Sequence, residues 1–394
     1  MKIRKIIMVT LVTVCLVAGL AGCTTYDNFK NTFIDNKATA SDTIKIGVLE
    51  PQTGNDSHQA SIETSGIELA HKLYPEAMGK KVELIYEDTQ SSIYTAESAV
   101  QDLIDKKPAV ILGSYGDACS LVAGKYLKES KTPGITMTAT NPLITENNSY
   151  YFRVSFSEAS QGNAIADYAG IALKQKKIAL ITMENDDTVN DLVNNFNKEY
   201  AAVTKKTGGK VTEIQLKQDS TNIDDCLNQL KNEQITTVFM AAPLDNAKQL
   251  FEEADRLKLN GLTVIGPKEW HSSDLIGLQN KFKGIKIAAA SDFNAESADT
   301  KYYDEFVKAY TKKYGNSTPD QAAALGFDAY MLAINAIEQA GSVNGTKVRD
   351  ALGQTKNFSG ASGVKTFDNG GEPKKPINID IIKNSMFKTV YTIQ

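Results

Sequence analysis

The sequence has 394 residues, 42% of them apolar and 23% charged, with 47 acidic against 43 basic side chains and a net charge of −4. That balance argues against a nucleic-acid partner, and the length argues for two or more domains. Neither the cysteines nor the three histidines, His58, His71 and His271, show metal-ligand spacing.

The chain opens MKIRKIIMVTLVTVCLVAGLAGC. Lys2, Arg4 and Lys5 precede an apolar run that reaches Leu20, the pattern of a secretory signal, which is set aside from the fold. Leu20-Ala21-Gly22-Cys23 resembles a bacterial lipobox and implies cleavage before Cys23 with lipid on its thiol; an ordinary signal peptide or a short membrane anchor is the alternative. Without residues 1–22 the chain keeps 372 residues, and the loss of three cations takes its net charge to −7. No other stretch is long and apolar enough to span a bilayer. The expectation is a soluble protein tethered to the outer side of a membrane, with residues 23–42, polar and without periodicity, as the flexible tether.

From Asp42 the pattern becomes regular. Ile44–Leu49 reads as a strand, Gln52–Asp56 as a loop, Ile62–Leu73 as a helix, Val82–Glu87 as a strand and Tyr94–Asp105 as a helix. Ala109–Leu112, a helix over Ala118–Ser130 and Gly134–Met137 then make a βαβ unit. Its loops, Ser114–Ala118 and Thr138–Asn141, lie at the carboxyl ends of the strands, where ligands bind in parallel sheets. The first loop also opens a helix, whose free N–H groups attract anions.

Tyr151–Ser155 is a short extended run, and after it the pattern restarts. Helices are predicted over Glu158–Lys174, Thr188–Thr204, Ile223–Lys231 and Asn246–Arg256. Strands are predicted over Ile178–Met183, Lys210–Gln215, Thr237–Ala241, Leu262–Ile265 and Ile285–Ala290. Helices over Lys301–Lys313 and Gln321–Ala340 follow, and FDNGGEPKKPINIDIIKNSMFKTV reads as a terminal hairpin. Two alternating α/β stretches in series predict two lobes built alike. Cys119 and Cys226 fall in different lobes on this reading, so no disulfide between them is expected.

Several stretches together resemble the type I periplasmic binding proteins, in the branch that binds leucine, isoleucine and valine. They are Ile44-Lys45-Ile46-Gly47-Val48 with Thr53-Gly54, Ala139-Thr140-Asn141-Pro142 and Tyr151-Phe152-Arg153-Val154. Ala324-Leu325-Gly326-Phe327-Asp328-Ala329 and the closing Phe367-Asp368 with Ile382-Lys383-Asn384 also fit. The resemblance implies an α/β fold of two doubly wound parallel-sheet lobes joined by three hinge crossings. Lobe I would hold residues 43–154 and about 285–360, lobe II residues 155–284 and about 361–394. It also implies the solute-binding lipoprotein of an ABC importer, a monomer that takes a small-molecule ligand without a cofactor. Its other partners would be the permease subunits and, through the lipid, the membrane.

By the same resemblance the candidate ligand contacts are Gln59, Tyr115, Asp117, Ala118, Thr138, Thr140, Lys268 and Glu269. Thr138 and Thr140 fall where the family holds the ligand's carboxylate and ammonium. Asp117 stands where a serine is common; it is either a helix N-cap alone or a cap that also meets ligand. Gly266-Pro267-Lys268-Glu269-Trp270 resembles a family stretch in which an acid binds the ammonium, but Lys268 holds that position. Either Glu269 supplies the acid, or the polarity of the site has changed, or Lys268 is a solvated loop lysine. Trp270 either lines the cleft or packs inside lobe II. Pro243 and Thr188 fall where other members carry aromatic contacts, so a small polar ligand is expected: a small amino acid or related metabolite, with urea, an amide or a small organic acid as alternatives. An enzyme finds no support, since the loop after the first strand has no phosphate-binding glycine pattern and there is no Gly-x-Ser-x-Gly. A sensing receptor on the same fold is the other rival.

Overall fold

The computed structural model describes residues 43–293, 300–315, 319–367 and 370–393. The signal segment, Cys23 and the tether lie outside the described residues. The first stretch runs β1 (Thr43–Glu50), α1 (Ser57–Leu73), β2 (Glu76–Ala77), β3 (Lys80–Asp88), α2 (Ile93–Asp105), β4 (Val110–Gly113), α3 (Asp117–Ser130), β5 (Gly134–Thr136) and β6 (Tyr151–Arg153). These strands form one sheet in the order β2-β3-β1-β4-β5-β6, with β1, β4, β5 and β6 parallel. Side chains alternate across it: Ile46, Val48, Val110 and Leu112 enter one core, Leu49 and Ile111 the other. Both faces are buried under helices, which is why these strands read as unbroken apolar runs.

The second stretch repeats the plan. It comprises α4 (Glu158–Asp167), β7 (Lys177–Met183), α5 (Asn190–Val203), β8 (Lys210–Leu216), α6 (Ile223–Asn232), β9 (Thr237–Ala241), α7 (Leu244–Arg256), β10 (Thr263–Gly266), α8 (Ser273–Lys281) and β11 (Lys286–Ser291). A π-helical turn, Tyr168–Ala172, continues α4. Then come α9 (Tyr303–Tyr314), α10 (Gln321–Ala340), α11 (Gly345–Gly353), β12 (Phe358–Gly360), β13 (Gly363–Phe367), β14 (Pro373–Lys374), β15 (Ile377–Lys383) and β16 (Met386–Ile393). The second sheet has the order β16-β15-β11-β10-β9-β7-β8, and β12-β13-β14 form a small third one. The terminal hairpin is β15–β16, and β15 runs antiparallel both to β16 and to β11. Cys119 on α3 and Cys226 on α6 are buried free thiols.

The chain returns to the first lobe later than expected. Lys286–Ser291 pairs with β10 and β15 and so belongs to the second sheet. Phe358, Ala361 and Phe367 pack into the core of the first sheet, not the second. The pattern of α8, α11 and β12–β14 was not among the predicted elements; each is short, and the three strands have two to five residues apiece.

Two features of α10 explain its sequence. A Cβ at Gly326 would lie 2.1 Å from the Glu63 carbonyl of α1, so only glycine permits the helices to approach this closely. Two residues on, fully buried Asp328 accepts the N–H groups of Ala361 and Ser362 and pairs with Lys365 at 2.6 Å, which fixes the third sheet to the helix.

The chain passes between the two large sheets three times, and one carboxylate gathers the passages. Asp292, just past β11, accepts from the Ser155 hydroxyl (2.8 Å) and the Phe156 N–H (3.3 Å) beyond β6. It pairs with Lys375 just before β15 (2.6 Å) and with Lys268 (3.4 Å). Burial alone would raise this acid, but Lys375 and Lys268 outweigh it and hold Asp292 down to about 2. Burial pushes Lys375 down to about 8.

Candidate functional site

The carboxyl ends of the two sheets face a common cavity of about 440 Å³. A second cavity of about 420 Å³ adjoins it and shares Asp117, Thr140, Pro243, Leu244 and Glu269 with it. The loops after β4 and β5 supply one wall, those after β9 and β10 the other.

The first wall is rigid for a local reason. Gly113 has φ +114°, and a Cβ there would stand 2.0 Å from the Leu49 carbonyl, so β4 can turn into its loop only through glycine. Gly116 is the N-cap of α3, and Asp117 is the first residue of the helix. Asp117 is therefore not the cap: its Oδ1 accepts the N–H groups of Thr140 (2.8 Å) and Asn141 (3.0 Å) instead. From the other side, fully buried Arg153 donates to the carbonyls of Ala139 (2.7 Å) and Asn141 (2.6 Å). The Ala139-Thr140-Asn141 turn is thus gripped at its donors by Asp117 and at its acceptors by Arg153.

Beneath this wall lie two buried carboxyl groups. Glu63 accepts from the Thr138 hydroxyl, and Glu50 accepts the Tyr115 N–H at 2.9 Å. Burial raises Glu63 to about 7, opposed by the Thr138 hydroxyl and by Lys268. Burial, then the charge of Glu63, raises Glu50 well above its usual range. Oε1 of Glu50 and Oε2 of Glu63 are buried without another donor among the described residues, and the two carboxyl groups act on each other, as close buried acids do when they hold a proton.

Lys268 joins the walls. It is 3% exposed, which rules out the solvated loop lysine. Its backbone is held by Gln161, which accepts its N–H at 2.7 Å, and by Gln321, which donates to its carbonyl at 2.8 Å. Its ammonium donates to the Thr138 carbonyl (2.9 Å), the Ser155 hydroxyl and Asp292. Glu269 follows in a short 3₁₀ turn, Lys268–Trp270, and lines both cavities. Its side chain is open to solvent at the cleft, and partial desolvation there raises its carboxyl, with Lys268 opposing.

Seven of the eight residues expected at the site line the first cavity: Gln59, Tyr115, Asp117, Thr138, Thr140, Lys268 and Glu269. Ala118 does not; it sits exposed on α3, one position past the helix face that meets the cavity. Pro243 lines both cavities and Thr188 the second. Trp270 also lines the second, but it is 1% exposed, donates to the Ala242 carbonyl (2.8 Å) and packs edge-on against Phe251. It is chiefly a core residue.

Sequence reasoning missed Glu158, Gln161, Asp292, Asp320 and Gln321. Glu158 is the first residue of α4, accepts from the Thr140 hydroxyl (3.2 Å), and is pushed up to about 7 by burial and then by the charge of Asp117. A signal existed for several of them. Ser157-Glu158, Ser291-Asp292 and Asp320-Gln321 each stand where a strand ends or a helix begins, the positions that face a ligand in such sheets.

Comparison with known proteins agrees with this architecture. The family model described as periplasmic binding protein matches residues 43–383. A "Leu/Ile/Val-binding protein homolog 6" of Brucella suis is 24% identical over 362 residues, covering 90% of this chain and 88% of its own. The crystal structure of a leucine binding protein from Thermotoga maritima superposes with a TM-score of 0.77 at 28% identity, covering 89% of this chain and 98% of that one. A solute binding protein of an ABC transporter from Rhodopseudomonas palustris, solved with 3,4-dihydroxybenzoic acid, gives a TM-score of 0.75 at 24% identity over 90% and 98%. These relatives are solute-binding proteins and not enzymes. Two lobes, three crossings and a cavity shared by the strand ends of both sheets are the type I architecture, and the chain belongs to the periplasmic binding protein family.

Proposed function

We propose that this protein is the solute-capturing subunit of an ABC importer, taking a small amino acid or related polar metabolite into the cleft between its lobes. The observation that carries the reading is the cavity itself: residues from both lobes line it, and Lys268 reaches across it from the second to Thr138 of the first. A ligand touching both walls stabilises the closed arrangement by its difference in affinity for closed and open forms. The leucine-binding and dihydroxybenzoate-bound relatives support solute capture and span unlike ligands. The lobes that close would be residues 43–154 with about 292–375, against residues 155–291 with 376–393. Lipid on Cys23 would hold the protein at the outer face of the membrane as a monomer, beside the permease subunits that receive the closed form. No helix among the described residues is long and apolar enough to cross a membrane.

Thermal unfolding of the full-length protein in detergent tests the reading. After unfolding and refolding to strip carried-over ligand, it would be screened against amino acids, amines, amides, urea and small organic acids. A binder at a hundred times its dissociation constant should stabilise the fold by about 2.7 kcal/mol. A panel without any shift would reject solute capture.

A further inference from the structure

The charge of the cleft narrows the ligand, and this step rests on the reading just given. Among the helices that begin at the two cavities are α3, α4, α7, α8 and α10. Their N-terminal dipoles alone would make the site attractive to anions, each end acting as roughly half a positive charge. Each of the five, however, carries a carboxylate at its start: Asp117, Glu158, Asp245 and Asp274 in the first turn, and Asp320 at the cap. Even with Glu158 pushed up to about 7 and Asp320 raised by burial, these carboxylates with Glu269, which belongs to none of these helices, outweigh the half positive charges of the helix ends and reverse the sign.

The two cations among the lining residues are engaged with other groups, although Lys268 still opposes the rise of Glu269. The lining cations are Lys268 and His271. The ammonium of Lys268 is spent on Thr138, Ser155 and Asp292. The His271 ring lies against Phe387 and its Nε2 stands 3.0 Å from Asp380. Neither is left to meet a carboxylate on a ligand. Asp117, Glu158 and Glu269 meet where the two cavities join, and they repel one another: the charge of Asp117 raises Glu158, and also Glu269. The rest of the second cavity is lined by the apolar Val189, Leu192 and Leu244, with Gln161, Thr188 and a further acid, Asp186, beside them.

We propose that the ligand is a small organic cation without a carboxylate, an amine or guanidine whose charged group sits among Asp117, Glu158 and Glu269. The uncharged remainder extends along Val189, Leu192 and Leu244. A zwitterionic amino acid would place its carboxylate against unpaired acids and lose by repulsion what its ammonium gains.

Matched pairs that differ only by a carboxylate test this: cadaverine against L-lysine, agmatine against L-arginine, and isopentylamine against L-leucine. Each is titrated calorimetrically into refolded full-length protein. The amine of at least one pair should bind about tenfold or more tightly than its amino acid. Glu269→Gln should weaken that amine by a similar factor, with the unfolding midpoint of the unliganded protein little changed. An amino acid that binds as tightly as its amine overturns the inference and leaves solute capture standing, as does full amine affinity in Glu269→Gln. Protein that binds nothing in the wider panel either overturns both.

Discussion

At the scale of single residues, the molecule depends on buried charges whose partners are fixed. Glu63 titrates near 7 in the folded chain against an ordinary value of 4.5. Between those values the folded state keeps a proton that the unfolded state has released, so the stability Glu63 contributes should be lost as pH rises from about 4.5 to about 7. Glu50, Thr138, Lys268 and Asp320 are the groups that face it. Urea unfolding at pH 5 and pH 8 should show that loss, and Glu63→Gln, which can still accept from Thr138, should reduce it. An undiminished pH slope in Glu63→Gln would assign the titration to other groups. The position of Lys268 could be read from its neighbours Gly266, Pro267 and Trp270. Its commitment could not, because Thr138, Ser155 and Asp292 come from three separate parts of the chain.

At the scale of elements, α1 and α10 cross at Gly326, where a side chain would strike the Glu63 carbonyl. Gly326→Leu should cost about 1–3 kcal/mol through forced separation of the two helices, read from the urea midpoint, and a smaller loss would mean that α10 shifts freely. The same region shows what sequence can and cannot disclose. Strands β1, β4, β7, β9, β10 and β11 were readable because burial on both faces makes them continuous apolar runs between loops. Helix α10 was readable end to end because 15 of its 20 residues are buried. The small sheet β12–β14 was not: its anchor is Asp328 on α10, about thirty residues earlier, and no local pattern announces a long-range carboxylate. The candidate site was legible where a strand leads straight into a helix, as at Tyr115 and Asp117. At Glu158 and Gln321 it was legible only as helix starts, since which helix starts share one cavity is decided by how the two lobes face each other.

At the scale of the whole molecule, Lys268 and Asp292 act together. Lys268 ties the second lobe to the Thr138 carbonyl of the first, while Asp292 binds the crossings. Lys268→Met should remove the tie and leave Lys375 on Asp292. Small-angle scattering of the unliganded variant should then give a larger radius of gyration than the parent, and equal radii would show that the tie does not set the opening. The order in which the parts are made has its own consequence. Strand β11 is flanked on one side by β10, already formed, and on the other by β15, which arrives about ninety residues later. A polypeptide emerging from an export channel therefore presents a bare, apolar β11 edge for most of the time that the remainder is threaded through, a ready template for pairing with another chain. Premature stops before Ile377 should be far more prone to aggregation than their small loss of length suggests, and the last hairpin is the piece that a secretion chaperone would have reason to wait for.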